Sequence, residues 1–160
     1  MLKKEVCYNI KRTAIASYLG IKFFNLKRSV IEMELKRQQE VVEAFHYDMR
    51  TPDMEAVETD LKVGFSPIQS NDENYPKENS IIAARLEFRL VFEEYVLTGS
   101  VSQINHIINH KIEKQEDISQ EEVDELVKPL FNIVQRMAYE VTEIALDKPG
   151  IQLNFQSTEA

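Results

Sequence analysis

Between Ile81 and Glu93 the chain alternates: Ile82, Ala84, Leu86, Phe88, Leu90 and Phe92 are apolar, while Arg85, Glu87, Arg89 and Glu93 between them are charged. A period of two over this length predicts a strand with one face in a core and the other in water. A helix would scatter those charges around its circumference. The segment reads as the central strand of an antiparallel sheet. Val41 to Asp48 (VVEAFHYD) is rich in β-branched and aromatic residues and reads as a first strand, followed by a turn at Thr51-Pro52-Asp53. Glu58 to Ile68 sets Leu61, Val63 and Phe65 against Asp60 and Lys62, and Pro67 limits that strand to an edge. Gln69 to Ser80 is polar and reads as a long exposed loop. Tyr95 to Ile112 supplies the fourth strand. Its apolar residues Val96, Val101, Ile104 and Ile108 do not keep one parity, so Gly99 is expected to hold a bulge that resets the register.

The period then changes. Ser119-Gln120-Glu121-Glu122 has the form of a capping box, and Glu121, Glu122, Asp124 and Glu125 sit where the positive end of a helix dipole favours acids. From Val123 through Leu126, Leu130, Val134, Ala138 and Val141 to Ile144 an apolar stripe recurs every three or four residues, closed by Lys148-Pro149-Gly150. Pro129 should bend this helix without redirecting it, since the stripe continues in phase. The fold class expected is α+β: a four-stranded antiparallel sheet with one long C-terminal helix packed on it. A helix of this length, about 40 Å, is expected to exceed the sheet's span and to pack its surplus on a second subunit.

Composition places the chain among single-domain globular proteins: 160 residues, 43% hydrophobic and 29% charged, with no apolar run of membrane-spanning length. Its one cysteine, Cys7, allows no intrachain disulfide and suits a cytoplasmic setting. The net charge of −8 is uneven: residues 1–32 hold seven Lys or Arg against two acids, residues 33–160 twelve against twenty-five. So acidic a body repels phosphate backbones and argues against nucleic acid as a partner. The basic, aromatic stretch 1–32 could lie on a membrane as an amphipathic helix. The preferred reading is an over-extended reading frame outside the folded domain 33–160, because Lys27-Arg28-Ser29 can be encoded by a ribosome-binding purine run at initiation distance from Met33.

Candidate chemistry is sparse. The glycines, at 20, 64, 99 and 150, are too far apart for a phosphate-binding loop. His46 stands alone in its strand. His106 and His110, four apart, would share a strand face at about 13 Å, and no third metal ligand accompanies them. Asp48 with His46 is the nearest approach to an acid–base pair. No nucleophile–base pair or cofactor motif is readable, so the expectation is no enzyme, no cofactor and no metal.

Four strands, a long helix and a short apolar coda resemble the SecB-like superfamily, which includes the bacterial preprotein-export chaperone SecB. Three motifs carry the resemblance: Tyr95-Val96-Leu97-Thr98-Gly99 followed by Val101 and Ile104; Pro129-Leu130-Phe131 followed by Ala138-Tyr139-Glu140; and Pro149-Gly150-Ile151-Gln152-Leu153-Asn154-Phe155. Val42 to Asp48 adds to them, and together they suggest a bacterial branch distinct from SecB. The resemblance implies a non-catalytic, oligomeric protein (dimer or tetramer through the helix) that binds unfolded or extended polypeptide. The candidate contacts are Phe65, Phe88, Phe92, Phe131 and Met137. The alternative is a regulatory or scaffolding module on the same fold without client binding. Two departures stand out: SecB's second helix has no counterpart before Ala160, and Arg85, Glu87, Arg89 and Glu93 do not reproduce the acidic sheet face that SecB offers to the ATPase SecA.

Overall fold

A computed structural model describes residues 34–155; the expectation for residues 1–32 lies outside them. Strands β1 (Leu35–Arg37), β2 (Val41–Met49), β3 (Asp60–Ile68), β4 (Ser80–Val91) and β5 (Tyr95–Ile107) precede a long helix, α1 (Gln120–Leu146). The class is α+β, as the periodicities indicate, and every strand pairing is antiparallel. The sheet has five strands, one more than expected, because β1 and β2 both pair with β5, β1 at Asn105–Ile107 and β2 at Tyr95–Ser102. They lie end to end as one interrupted lane. A three-residue strand such as β1 is held by its register with β5 and has no room to show a period of its own.

β4 is central, flanked by β3 and β5. Its alternation is realised in full: Ile82, Ala84, Leu86, Phe88 and Leu90 are buried, and Arg85, Glu87 and Arg89 are exposed. β3 is an edge, and Pro67 sits in it opposite Ile82. Without an N–H, proline is tolerated there.

The expected bulge at Gly99 is absent. β4 and β5 pair without a break from Ser80↔Ile107 to Val91↔Val96, and the register shift falls instead in β2, between Val42 and Ala44. The parity of β5 was obscured because its core face carries Gly99, Gln103 and Asn105 among Leu97, Val101 and Ile107. Gly99 is there for room: a Cβ would run into the Ala44 carbonyl and come within 2.7 Å of the Phe88 ring. The fourth strand also ends at Ile107 and not Ile112, with Asn109 in the left-handed region at φ 55°.

α1 starts where the capping box puts it. The Glu122 amide donates to Ser119 Oγ at 3.3 Å, and the Ser119 amide donates to Glu122 Oε2 at 2.8 Å. Pro129 lies inside the helix. The stop differs from expectation: Asp147, φ 49°, takes the left-handed cap, and Gly150 serves a later contact. α1 packs on one face of β4 and β5, where Val123, Leu126, Leu130 and Val134 meet Ile82, Leu86, Leu97 and Val101 in the core. β5, at 13 residues, and α1, at 27, are about equally long, roughly 40 Å each.

Candidate polypeptide-binding surface

α1 packs on β4 and β5, and β2 lies beyond β5 at the side of the sheet. Val42, Phe45, Tyr47 and Met49 pair with Val101, Gly99, Leu97 and Tyr95, which places them on the helix side of the sheet. Inserting Glu43 at the register shift lets Val42 and Phe45 share that side although three residues separate them. Val42 is 41% and Met49 61% exposed, and Phe45 and Tyr47 are half-buried. Aromatic contacts tie the strip to the core: Phe45–Phe88 with ring centroids 5.9 Å apart, Tyr47–Tyr95 stacked at 5.2 Å and Phe92–Tyr95 at 4.7 Å.

α1 borders this strip. At 100° per residue Ile133, Met137 and Ile144 fall within about 40° of one another, and Phe131, Gln135 and Thr142 fall on the opposite flank. Ile133 lines a cleft with Arg37 and Glu40, which turns its flank toward the β1–β2 lane. Ile133 and Met137 are half-buried, and Ile144 is 81% exposed.

The five candidates named from the sequence do not form one surface. Phe65, Phe88 and Phe92 are buried in the core at 4–7% exposure. Phe131 and Met137 are half-buried on opposite flanks of α1, Phe131 against Phe155 with ring centroids 4.8 Å apart. The half-open apolar residues are instead Val42, Phe45, Tyr47 and Met49. Their signal was the alternation of a strand long enough to be an edge with an apolar side.

The histidines are dispersed. His46 is exposed on the opposite sheet face, level with Thr98. His106 Nδ1 lies 3.2 Å from the Tyr75 hydroxyl, so the 69–79 loop folds back onto the sheet, and burial pushes the Tyr75 phenol above its ordinary pKa. His110 follows β5 and does not share a strand face with His106. Its Nδ1 stands 2.6 Å from Glu122 Oε1, joining the loop to the capping box. In the same loop Asp117 accepts from the Glu113 and Lys114 amides, which hold its carboxyl below the ordinary 3.8. Among the described residues no group of three or more His, Cys, Asp or Glu could hold a metal ion, and no helix is long and apolar enough to cross a membrane.

Comparison with known proteins places this architecture. The family model described as "Protein of unknown function (DUF1149)" matches residues 33–155. A protein of unknown function from Streptococcus agalactiae is 40% identical in sequence and superimposes with a TM-score of 0.71, covering 77% of this chain and 98% of that one. The Mycobacterium tuberculosis Rv1957 SecB-like chaperone, solved in complex with a ChAD peptide from the Rv1956 HigA1 antitoxin, aligns over 76% of this chain and 90% of its own. At 10% identity and a TM-score of 0.38, that alignment carries no argument of its own. No curated protein matches.

Proposed function

We propose that this chain, which belongs to the family described as "Protein of unknown function (DUF1149)", is a non-catalytic, polypeptide-binding protein of the chaperone type. The observation that carries the reading is the apolar strip of β2, Val42, Phe45, Tyr47 and Met49, left half-open beside Ile133 and Met137 of α1. An extended segment can add to the edge of β2 that no described strand pairs, by main-chain hydrogen bonds, and seat alternate apolar side chains on the strip. The acidic composition of residues 33–160 favours basic segments. The motifs shared with the SecB-like superfamily point the same way. Of the candidate contacts, Met137 is half-buried on the flank of α1 toward the β1–β2 lane; Phe131 packs against Phe155 on the other flank, and Phe65, Phe88 and Phe92 lie in the core beneath.

The protein works in the cytoplasm as a homo-oligomer assembled through α1, whose last turns present Ile144 to solvent. Ile144 lies on the same side of α1 as Ile133 and Met137, which extends their half-buried apolar row to the end of the helix. The test is suppression of aggregation of a chemically denatured client. Dose-dependent suppression is expected from the wild-type chain, with loss in Met49→Glu, a change at an exposed position that leaves the core intact. Tight binding of one folded partner without suppression would favour the regulatory or scaffolding reading instead.

A further inference from the structure

The flank of α1 facing away from β2 is already filled. Residues 151–155 belong to neither helix nor strand, yet Ile151 and Phe155 are half-buried, Leu153 is buried, and Gln152 and Asn154 face solvent. That is the alternation of an extended chain with one side seated. It runs back along the helix: Ile151 lies at Thr142, Leu153 at Gln135 and Phe155 at Phe131. Four residue steps of the segment cover eleven of helix, about 13 Å against about 16 Å, so the segment is nearly straight.

The helix grips this segment by its main chain. The Ile151 amide donates to Thr142 Oγ1 at 2.8 Å, and Gln135 Nε2 donates to the Leu153 carbonyl at 3.0 Å. Thr142 is 1% exposed, and its own proton is directed to the helix carbonyls of Ala138 at 2.6 Å and Tyr139 at 3.2 Å, which leaves an Oγ1 lone pair for the Ile151 amide. The approach is close enough that a Cβ on Gly150 would run into the Tyr139 carbonyl. Such a grip reads groups that any polypeptide carries, and asks only for apolar side chains at alternate positions.

We infer that the Phe131–Gln135–Thr142 flank of α1 is a second groove for extended polypeptide, and that residues 150–155 occupy it as an internal stand-in. The inference deepens the proposed function and rests on it for the class of ligand. A tethered segment competes at an effective concentration in the millimolar range, so a free peptide enters when the segment is loosened.

The test uses the full chain and a labelled, end-blocked peptide of sequence Ile-Gln-Leu-Asn-Phe, read by fluorescence anisotropy. Two variants loosen the segment independently, Leu153→Ser by removing its seated side chain and Gly150→Ala by crowding its approach; circular dichroism confirms that each keeps α1. Both are expected to bind the peptide at least tenfold more tightly than wild type. Adding Thr142→Val to Leu153→Ser should lose that gain, and so should methylating the peptide nitrogen equivalent to that of Ile151. Equal binding by wild type and both variants, or binding indifferent to Thr142→Val and to N-methylation, would overturn the inference and leave the segment as packing. Suppression of aggregation by the wild-type chain depends on the β2 side, so the two readings can fail separately.

Discussion

Arg37 donates to the main-chain carbonyl of Glu125 at 2.9 Å, and that carbonyl is the one Pro129 leaves without its helical N–H. The same guanidinium lies 3.3 Å from the Glu125 carboxylate. A three-residue strand therefore repairs the break that proline makes in a helix eighty-eight residues away in sequence.

This relationship has a measurable coupling. With side-chain exposures of 32% and 56% the ion pair contributes little, so Arg37→Ala should cost about 1 kcal/mol, chiefly for the carbonyl. In a Pro129→Ala background the restored N–H claims the same acceptor, and the cost of Arg37→Ala should fall by more than half. Urea unfolding of the four proteins in the cycle checks this.

Two strand glycines should behave oppositely. Gly99→Ala sets a methyl against the Ala44 carbonyl and the Phe88 ring and should destabilise by at least about 2 kcal/mol, loosening β2 from β5. Gly64 has nothing within 4 Å of an added Cβ. Gly64→Ala should be neutral or stabilising by up to about 1 kcal/mol, because alanine restricts the unfolded chain. Thermal unfolding compares the pair.

Asp117 provides a pH test. Its carboxyl is depressed by the Glu113 and Lys114 amides, so the folded state favours the charged form. Its contribution is present above the ordinary 3.8 and is lost as pH falls through the folded value. Asp117→Asn should thus flatten the stability–pH curve below that point and leave its slope above pH 5 unchanged, as read by urea midpoints across the range.

Assembly through α1 is tested at Ile144. Ile144→Glu changes a residue 81% exposed in the single chain and should reduce the sedimentation mass to that of one 18.6 kDa chain without lowering helix content. An unchanged multiple of that mass would move the interface elsewhere, and a wild-type monomer would remove it.

Much of the fold was legible because two periods are imprinted on it. β4 shows its alternation undiluted, and Ser119 with Glu122 announces the start of α1 by its own chemistry. β5 was misread where tertiary demands displaced the period: Gly99 is small to admit the Phe88 ring and the Ala44 main chain, and Gln103 and Asn105 are amides buried at 3% and 0% exposure. The Gln103 side chain donates to the Gln38 carbonyl at 2.7 Å, beside the interruption between β1 and β2. No local pattern encodes such a partner. The candidate surface was harder still. Aromatic residues mark a core and a binding strip alike, and what separates Phe88 from Phe45 is the position of α1 over β4 and β5, a matter of sheet width that no linear pattern contains.

The most direct measurement of the central claim is hydrogen exchange of the full chain with and without a saturating unfolded client. Slowed exchange is expected along Val41–Met49, where a client strand would pair with the edge that no described strand occupies, and around Ile133 and Met137 of α1. Exchange in both segments unchanged by the client, in a mixture where the client is bound, would contradict it.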